Sequence, residues 1–271
     1  MQKAVFITGA ASGTGLAIAG RYAAGGYAVY LTSRSAARAQ TAADSLAARY
    51  GVQAKGYALD IRDEQAVIDV FSDIDDGGGA VETVVLNAAD LGFGTDPAKG
   101  MDLFTVQVEE FRRVLETNLV WNFTIIRQAA LRMRRRGRGA VVFIGSNTAA
   151  RAIPNRAAYC ASKGGINALS KALAVDLGRF GIRCNVVLPG TIKTERWLQM
   201  GDKQIVNGAL TPLGDISDYD DIAEAAYFLG TDGAKNITGA ELTVDGGMSC
   251  QLFPEKLKEW KSAAEAQPQE P

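Results

Sequence analysis

The sequence predicts an α/β fold: a single doubly wound parallel sheet of about seven strands, with helices on both faces. Three observations carry this. Short apolar runs alternate with longer helix-patterned stretches from Lys3 onward. A glycine turn, Gly9-Ala-Ala-Ser-Gly13-Thr-Gly15, joins the first apolar run to the first helical stretch. No internal repeat or domain boundary interrupts the alternation, so residues 1–249 read as one domain and residues 250–271 as a C-terminal extension.

The bulk numbers narrow the function. The chain has 271 residues, 47% of them hydrophobic, enough for a substantial core. A net charge of -1 points to neither a nucleic-acid nor an anionic-membrane partner. No run approaches the ~18 apolar residues of a spanning helix. The first residues enter a strand pattern directly, without signal-peptide architecture. Three widely spaced cysteines fit reduced thiols, and a cytoplasmic location is expected. The chain contains no histidine, which excludes His-based triads and the commonest transition-metal sites, so no metal is expected. Acid–base work falls to Tyr, Lys, Asp or Glu.

The elements follow in order. Lys3–Thr8 reads as a buried strand and Leu16–Ala24 as a helix, with the glycine turn between them as a phosphate cradle. Ala28–Ser33 is the second strand, and Ser35–Tyr50 an Ala-rich helix. Gln53–Ala58 is the third strand. Asp60-Ile61 follows, with Asp60 placed to cap a helix over Glu64–Ile74. Glu82–Leu86 is the fourth strand, ending in Asn87-Ala88-Ala89. Asp90–Thr105 is a long loop of the kind that shapes pockets at a parallel sheet's carboxyl edge. Val106–Met133 reads as one helix, and Asn118 within it is unfavourable by propensity and so needs a reason. The basic run Arg132–Arg138 suits a helix C-terminus. Gly139–Gly145 is the fifth strand, with Ser146 at its end. Ala157–Phe180 is a long helix and Ile182–Leu188 the sixth strand. Asp220–Leu229 is an amphipathic helix, and Thr238–Gly247 is the last strand with its turn. Pro254–Glu265 reads as a short helix with Leu257, Trp260 and Ala264 on one face; Gln267–Pro271 is expected to be disordered.

The chemistry centres on Tyr159 and Lys163. Their i, i+4 spacing sets them on one helix face, one turn apart. A free phenol titrates near pH ~10. An ammonium one turn away favours the phenolate, which makes the phenol a better acid and a usable base. Ser146, at a strand end, is placed to aim its hydroxyl at a carbonyl oxygen.

In combination, Thr8-Gly9-Ala-Ala-Ser-Gly13-Thr-Gly15, Asp60-Ile61, Asn87-Ala88-Ala89, Asn118, Ser146, Tyr159-x-x-x-Lys163, Pro189-Gly190 and Val244-Asp-Gly-Gly247 resemble the short-chain dehydrogenase/reductase family, in its order and near its spacings. Within the family the chain resembles the 3-oxoacyl-carrier-protein reductase branch. The resemblance covers Lys3 to about Met248. It implies a Rossmann-type domain that interconverts a carbonyl and a secondary alcohol. The implied catalytic residues are Asn118, Ser146, Tyr159 and Lys163. The implied cofactor residues are Gly9, Ser12, Gly13, Thr14, Gly15, Ser33, Arg34, Asp60, Ile61, Asn87, Ala88, Tyr159, Lys163, Pro189, Gly190, Ile192 and Thr194. In relatives Asp60 meets the adenine amino group, and Ile192 and Thr194 take the nicotinamide carboxamide. The alternative for the last pair is a plain loop with Thr194 as a helix cap.

Ser33 fills the slot where NAD-preferring relatives carry Asp, and Arg34 resembles the NADP-preferring pattern, with Arg38 one turn on. An Arg makes a forked, charge-assisted contact to phosphate. NADP(H) is therefore the expected cofactor, with NAD(H) as the alternative. Thr14, Ala89 and Gly145 depart mildly from the family pattern. Glu195–Asp215 matches the family's substrate lid, with Trp197, Leu198, Met200, Ile205 and Leu210 as apolar members. A small-molecule carbonyl or alcohol is the expected substrate, and a homotetramer or homodimer the expected assembly. Two other readings stand: an NAD-dependent alcohol, polyol or hydroxysteroid dehydrogenase using the same site, and a non-catalytic cofactor-binding regulator.

Overall fold

A computed structural model of the chain describes residues 2–93, 100–198 and 209–257. Seven strands form one parallel sheet: β1 (Lys3–Ile7), β2 (Ala28–Ser33), β3 (Ala54–Ala58), β4 (Ala80–Leu86), β5 (Gly139–Ile144), β6 (Ile182–Pro189) and β7 (Glu241–Val244), in the order β3-β2-β1-β4-β5-β6-β7. Every neighbouring pair is parallel, so each strand returns through a crossover. The order reverses between β1 and β4, and a crevice opens there, outside the strands' carboxyl ends.

The helices are α1 (Gly13–Ala24), α2 (Ala36–Tyr50), α3 (Glu64–Asp76), α4 (Val108–Leu115), α5 (Trp121–Arg136), α6 (Ala157–Gly178), the short α7 (Glu195–Leu198) and α8 (Tyr219–Gly230). Alternate residues of each central strand feed opposite faces. Ala4 and Phe6 of β1 join Phe71 of α3, Ile125 of α5 and Leu173 of α6 in one core. Val5 and Ile7 join Ile18 of α1, Leu46 of α2 and Ile222 of α8 in the other. Both faces of the sheet are covered, which is why its strands read as continuous apolar runs rather than alternating ones.

Three expectations need correction. The single helix expected over Val106–Met133 is two helices, α4 and α5, joined by a π-helical turn over Glu116–Val120 that contains Asn118. The wider turn inserts a residue into the helical ladder and re-aims the side chain it carries. The cap of α3 is Asp63, which accepts from Ala66 N at 2.9 Å, and not Asp60. A turn closed by Asp63 N donating to Asp60 O delays the start of the helix. The strand expected over Thr238–Gly247 contracts to Glu241–Val244. Residues 94–99 of the long loop, 199–208 of the lid (with Met200 and Ile205) and 258–271 of the tail (with Trp260 and Ala264) lie outside the described residues. No helix among the described residues is long and apolar enough to cross a membrane.

Arg183 of β6 ties the last crossover to the sheet. Its Nη1 donates to Leu229 O at 2.7 Å and Ile237 O at 3.3 Å, and its Nη2 to Thr231 O at 3.0 Å. A guanidinium here satisfies carbonyls at the end of α8 and complements the helix dipole. Arg183→Leu should therefore lower stability by about 3 kcal/mol, read as a fall in the denaturation midpoint, because buried carbonyls lose a charged donor.

Candidate active site

The predicted residues converge on the carboxyl edge of the sheet. After β1, Gly9 (φ 64°) and Gly13 (φ 54°) take left-handed backbone that favours glycine. Gly15 lies so close to the end of β1 that a Cβ would stand 2.4 Å from Gly9 O and 2.6 Å from Asn87 Nδ2. The turn therefore brings the α1 N-terminus, with Ser12 as its cap and Thr14 in its first turn, against the strand ends. This is the geometry of an anion-binding cradle. Asn87 holds it from below: its Nδ2 donates to Thr8 O (3.1 Å) and Gly9 O (3.0 Å). Thr8 Oγ1 accepts from the backbone N–H groups of both Asn87 and Ala88, each at 3.0 Å. Thr8, the first residue of the glycine motif, thereby joins the ends of β1 and β4, a role that the motif itself does not mark.

A cleft of about 990 Å³ runs along this edge. Its walls include Gly9, Ser12, Ser33, Arg34, Asn87 and Ala88, and Asp60 and Ile61 also line it. Arg38 lines it too, donating from Nη2 to Ser12 Oγ at 3.0 Å. The cationic α2 residue is thereby clipped to the glycine turn. Asp60 is engaged by Arg62, whose Nε donates to both carboxylate oxygens at 2.9 and 3.0 Å. That hydrogen-bonded pairing holds the Asp60 carboxyl down at about 2.

Ser146 caps a short turn after β5. Its Oγ accepts from Thr148 Oγ1 (2.9 Å) and Thr148 N (3.2 Å). Tyr159 and Lys163 stand on α6 as the spacing predicts. Lys163 is 3% exposed, and its Nζ donates to Ile144 O, at the end of β5, at 2.8 Å. Burial pushes its ammonium down to about 8. Tyr159 departs from expectation. Burial raises its phenol above the ordinary value, the hydrogen-bonding Ser146 hydroxyl opposes that, and Arg156 contributes an opposing charge. Lys163 Nζ lies 5.5 Å from the Tyr159 ring centroid while donating to the Ile144 carbonyl, so it stands over the ring without hydrogen-bonding the phenol. Cys160, beside Tyr159, is a half-buried free thiol.

Asn118 has its reason. Its Oδ1 accepts from Asp90 N (2.7 Å), and its Nδ2 donates to Asp90 O (2.8 Å) and Ser162 Oγ (3.0 Å). Ser162 donates in turn to Tyr159 O at 2.7 Å. The π-turn thus fastens the loop after β4 to the Tyr159 turn of α6. After β6, Gly190 N donates to Val244 O (3.0 Å) and Thr194 N to Ile192 O (2.8 Å). Thr194 Oγ1 accepts from Trp197 N at 3.1 Å, capping α7. Pro189, Gly190, Ile192 and Thr194 share the sheet edge with the other predicted residues and, like Asn118, Ser146, Tyr159 and Lys163, are not in the wall of the cleft. The tail also reaches the site, which no sequence pattern signals. Asn147 Nδ2 donates to Ser249 Oγ (3.1 Å), Arg151 Nη1 to Gln251 O (2.7 Å), and Gln251 Nε2 to Leu210 O in the lid (2.5 Å).

A family model described as enoyl-(acyl carrier protein) reductase matches residues 9–249. The 3-oxoacyl-[acyl-carrier-protein] reductase MabA of Mycobacterium tuberculosis is 32% identical over 250 residues, 92% of this chain and 93% of that protein. D-threitol dehydrogenase of Mycolicibacterium smegmatis is 33% identical over 247 residues, 90% and 92% of the two chains. A gluconate 5-dehydrogenase from Burkholderia cenocepacia, solved with NADP and tartrate, superposes with a TM-score of 0.84 at 26% identity, covering 93% of this chain and 96% of that one. The chain belongs to the short-chain dehydrogenase/reductase family, oxidoreductases acting on CH–OH and carbonyl groups with NAD(P).

The burial of Lys163 has a measurable sign. Its folded value of about 8 lies below the ordinary 10.5. Between those values the unfolded chain binds more protons, so stability rises with pH across that window. Wild type should gain on Lys163→Met by up to roughly 3 kcal/mol as pH rises from 7 to 10.5. A gap between their denaturation midpoints that stays flat over this range would show that the ammonium is not buried.

Proposed function

We propose that this chain is an NADP(H)-dependent oxidoreductase that interconverts a carbonyl and a secondary alcohol, with Tyr159 as proton donor and acceptor. The observation that carries the reading is the placement of Ser146, Tyr159 and Lys163 at the carboxyl edge, beside the glycine cradle and the cleft. The cradle fits a dinucleotide: a Cβ at Gly15 would close it, and the cleft beyond it is cationic at its Arg34–Arg38 end. When bound, the cofactor supplies the hydride.

The chain's own residues do the rest. Gly9, Ser12, Gly13, Thr14 and Gly15 offer backbone N–H groups and the positive end of α1 to the phosphates. Arg34, flanked by Ser33 and Arg38, takes the 2′-phosphate, and no carboxylate stands in that slot to repel it. Asp60, Ile61, Asn87 and Ala88 wall the cleft along the adenine and ribose. Pro189, Gly190, Ile192 and Thr194 fix the nicotinamide end. Ser146 holds the substrate oxygen and Tyr159 exchanges its proton with that oxygen. Lys163, its hold on the proton weakened by burial, accepts or returns a proton at ordinary pH and binds the ribose hydroxyls. Asn118 holds the Asp90 backbone and Ser162, which keeps this relay in register.

Residues 1–249 act as one catalytic domain in this reading, with 195–215 as its lid and 250–271 as an extension, in a cytoplasmic enzyme. The substrate is a small molecule, and nucleic acid and membrane are not partners. The chain assembles as a homotetramer or homodimer through α4, α5 and α6. Val120 at the end of the π-turn, Phe123 and Leu131 of α5 and Val175 of α6 are large apolar residues left half to mostly exposed, and such surface favours burial. Gel filtration should give two or four times 28.7 kDa, and a monomeric mass would remove the assembly.

Fluorescence titration with NADPH and NADH tests the cofactor, with at least tenfold tighter NADPH binding expected. Tyr159→Phe should lower kcat about 10²–10⁴-fold with a neutral ketone or ketoester while the NADPH titration is retained. Turnover within tenfold of wild type would overturn the proton-donor role.

A further inference from the structure

We propose that Gln251 is a positioning residue for the substrate side of the site: it latches the base of the lid to the turn that follows Ser146. This rests on the oxidoreductase reading above and adds the tail to the parts of the chain that seat the substrate.

The latch starts from Asp245, just after β7. Asp245 is 6% exposed, and its two carboxylate oxygens accept from Gly247 N (3.0 Å) and Ser249 N (2.8 Å). A carboxylate that only accepts thus winds the chain into the short turn Met248–Cys250. This turn is packed against two other connections. A Cβ at Gly190, after β6, would stand 2.6 Å from Asp245 Cβ. A Cβ at Gly246, which has φ 62°, would stand 2.4 Å from Thr211 Cγ2. Leu213 N donates to Gly246 O at 3.2 Å. The loop after β6, the described end of the lid and the start of the tail therefore meet closely, at positions where a side chain would not fit.

From that junction Gln251 is bonded on two sides. Its backbone O accepts from Arg151 Nη1 at 2.7 Å, and two residues earlier Ser249 Oγ accepts from Asn147 Nδ2 at 3.1 Å. Asn147 opens the turn that Ser146 caps, and Arg151 follows it. The Gln251 side chain goes to the lid: its Nε2 donates to Leu210 O at 2.5 Å and to Met248 O at 3.5 Å. Leu210 lies in irregular backbone, whose carbonyls need a donor from elsewhere. One residue thereby joins backbone 41 positions away to a side chain 100 positions away. None of Asn147, Arg151, Leu210 and Gln251 is in the wall of the cleft assigned to the cofactor. The latch therefore bears on the substrate and leaves the dinucleotide alone. A hydroxyl such as that of Ser146 is useful only where it is held, since a misplacement of about 1 Å can cost about 10²-fold in rate.

The test uses the full chain with NADPH and ethyl 3-oxobutanoate as the probe ketone. Gln251→Glu keeps the length and shape of the side chain and replaces its N–H donors by a carboxylate that faces the Leu210 carbonyl. It should lower kcat/KM for the ketoester about tenfold, chiefly through KM, with NADPH binding within twofold of wild type. Gln251→Lys offers N–H donors again at similar reach and should recover most of the loss. Hydrogen exchange read by mass spectrometry gives a second measure that needs no turnover. Segments 147–152 and 209–216 should both exchange about fivefold faster in Gln251→Glu and near the wild-type rate in Gln251→Lys. A Gln251→Glu enzyme within twofold of wild type, an equal loss in both variants, a matching loss of NADPH affinity or unchanged exchange in the two segments overturns the latch. A wild type that reduces no ketone overturns the oxidoreductase reading instead, and the exchange comparison then still decides whether Gln251 holds the two segments.

Discussion

Parallel pairing is the constraint on which the rest of this structure depends. Seven strands that all run one way must all finish at one edge. Six connections leave that edge as irregular backbone, and irregular backbone near a core must have its polar groups satisfied. The chain meets this need with a few short side chains. Thr8 and Asn87 pair the ends of β1 and β4. Asn118 takes both backbone groups of Asp90. Each of these links also fixes a surface of the cleft or the catalytic helix. What satisfies the backbone and what builds the site are the same hydrogen bonds.

The same economy explains why a lysine is tolerated in the dark. A buried ammonium is costly, and burial has already moved Lys163 toward its neutral form. The Ile144 carbonyl accepts its proton at the one place where the β5 ladder has ended. A strand end is therefore what allows the lysine to sit beneath the phenol at all.

Much of this was legible in the sequence, and the failures are instructive. The glycine spacing, the strand ends at Asn87 and Ser146, and the Tyr159–Lys163 turn are local patterns, and local patterns survive folding. Asp60 and Asp63 both lie within reach of the next helix, and the closure of one turn chose between them. The pattern over Val106–Met133 is helical throughout, so nothing in it marks the extra residue of the π-turn; the unfavourable Asn118 was its only trace. The direction of the Lys163 side chain depends on a carbonyl 19 residues away. The tail's bonds to Asn147, Arg151 and the lid link residues up to 102 positions apart, beyond any local pattern.

Spacing on α6 orders the charges by depth. Arg156, Tyr159 and Lys163 fall at i, i+3 and i+7, one stripe of the helix. Down that stripe exposure falls, from a half-buried guanidinium and phenol to an almost fully buried ammonium. In the proposed reaction a proton bound for the substrate oxygen comes from the middle member. The outer cation acts on the phenol from the solvent side, where charge is cheap to keep. The inner one, whose hold on its proton is weakened by burial, would in the proposed reaction return a proton to the phenol from below. Exchanging the two cations would bury the guanidinium, which cannot give up its proton, and leave the titratable amine where water holds it charged. The order along the helix is therefore a consequence of which cation must let go.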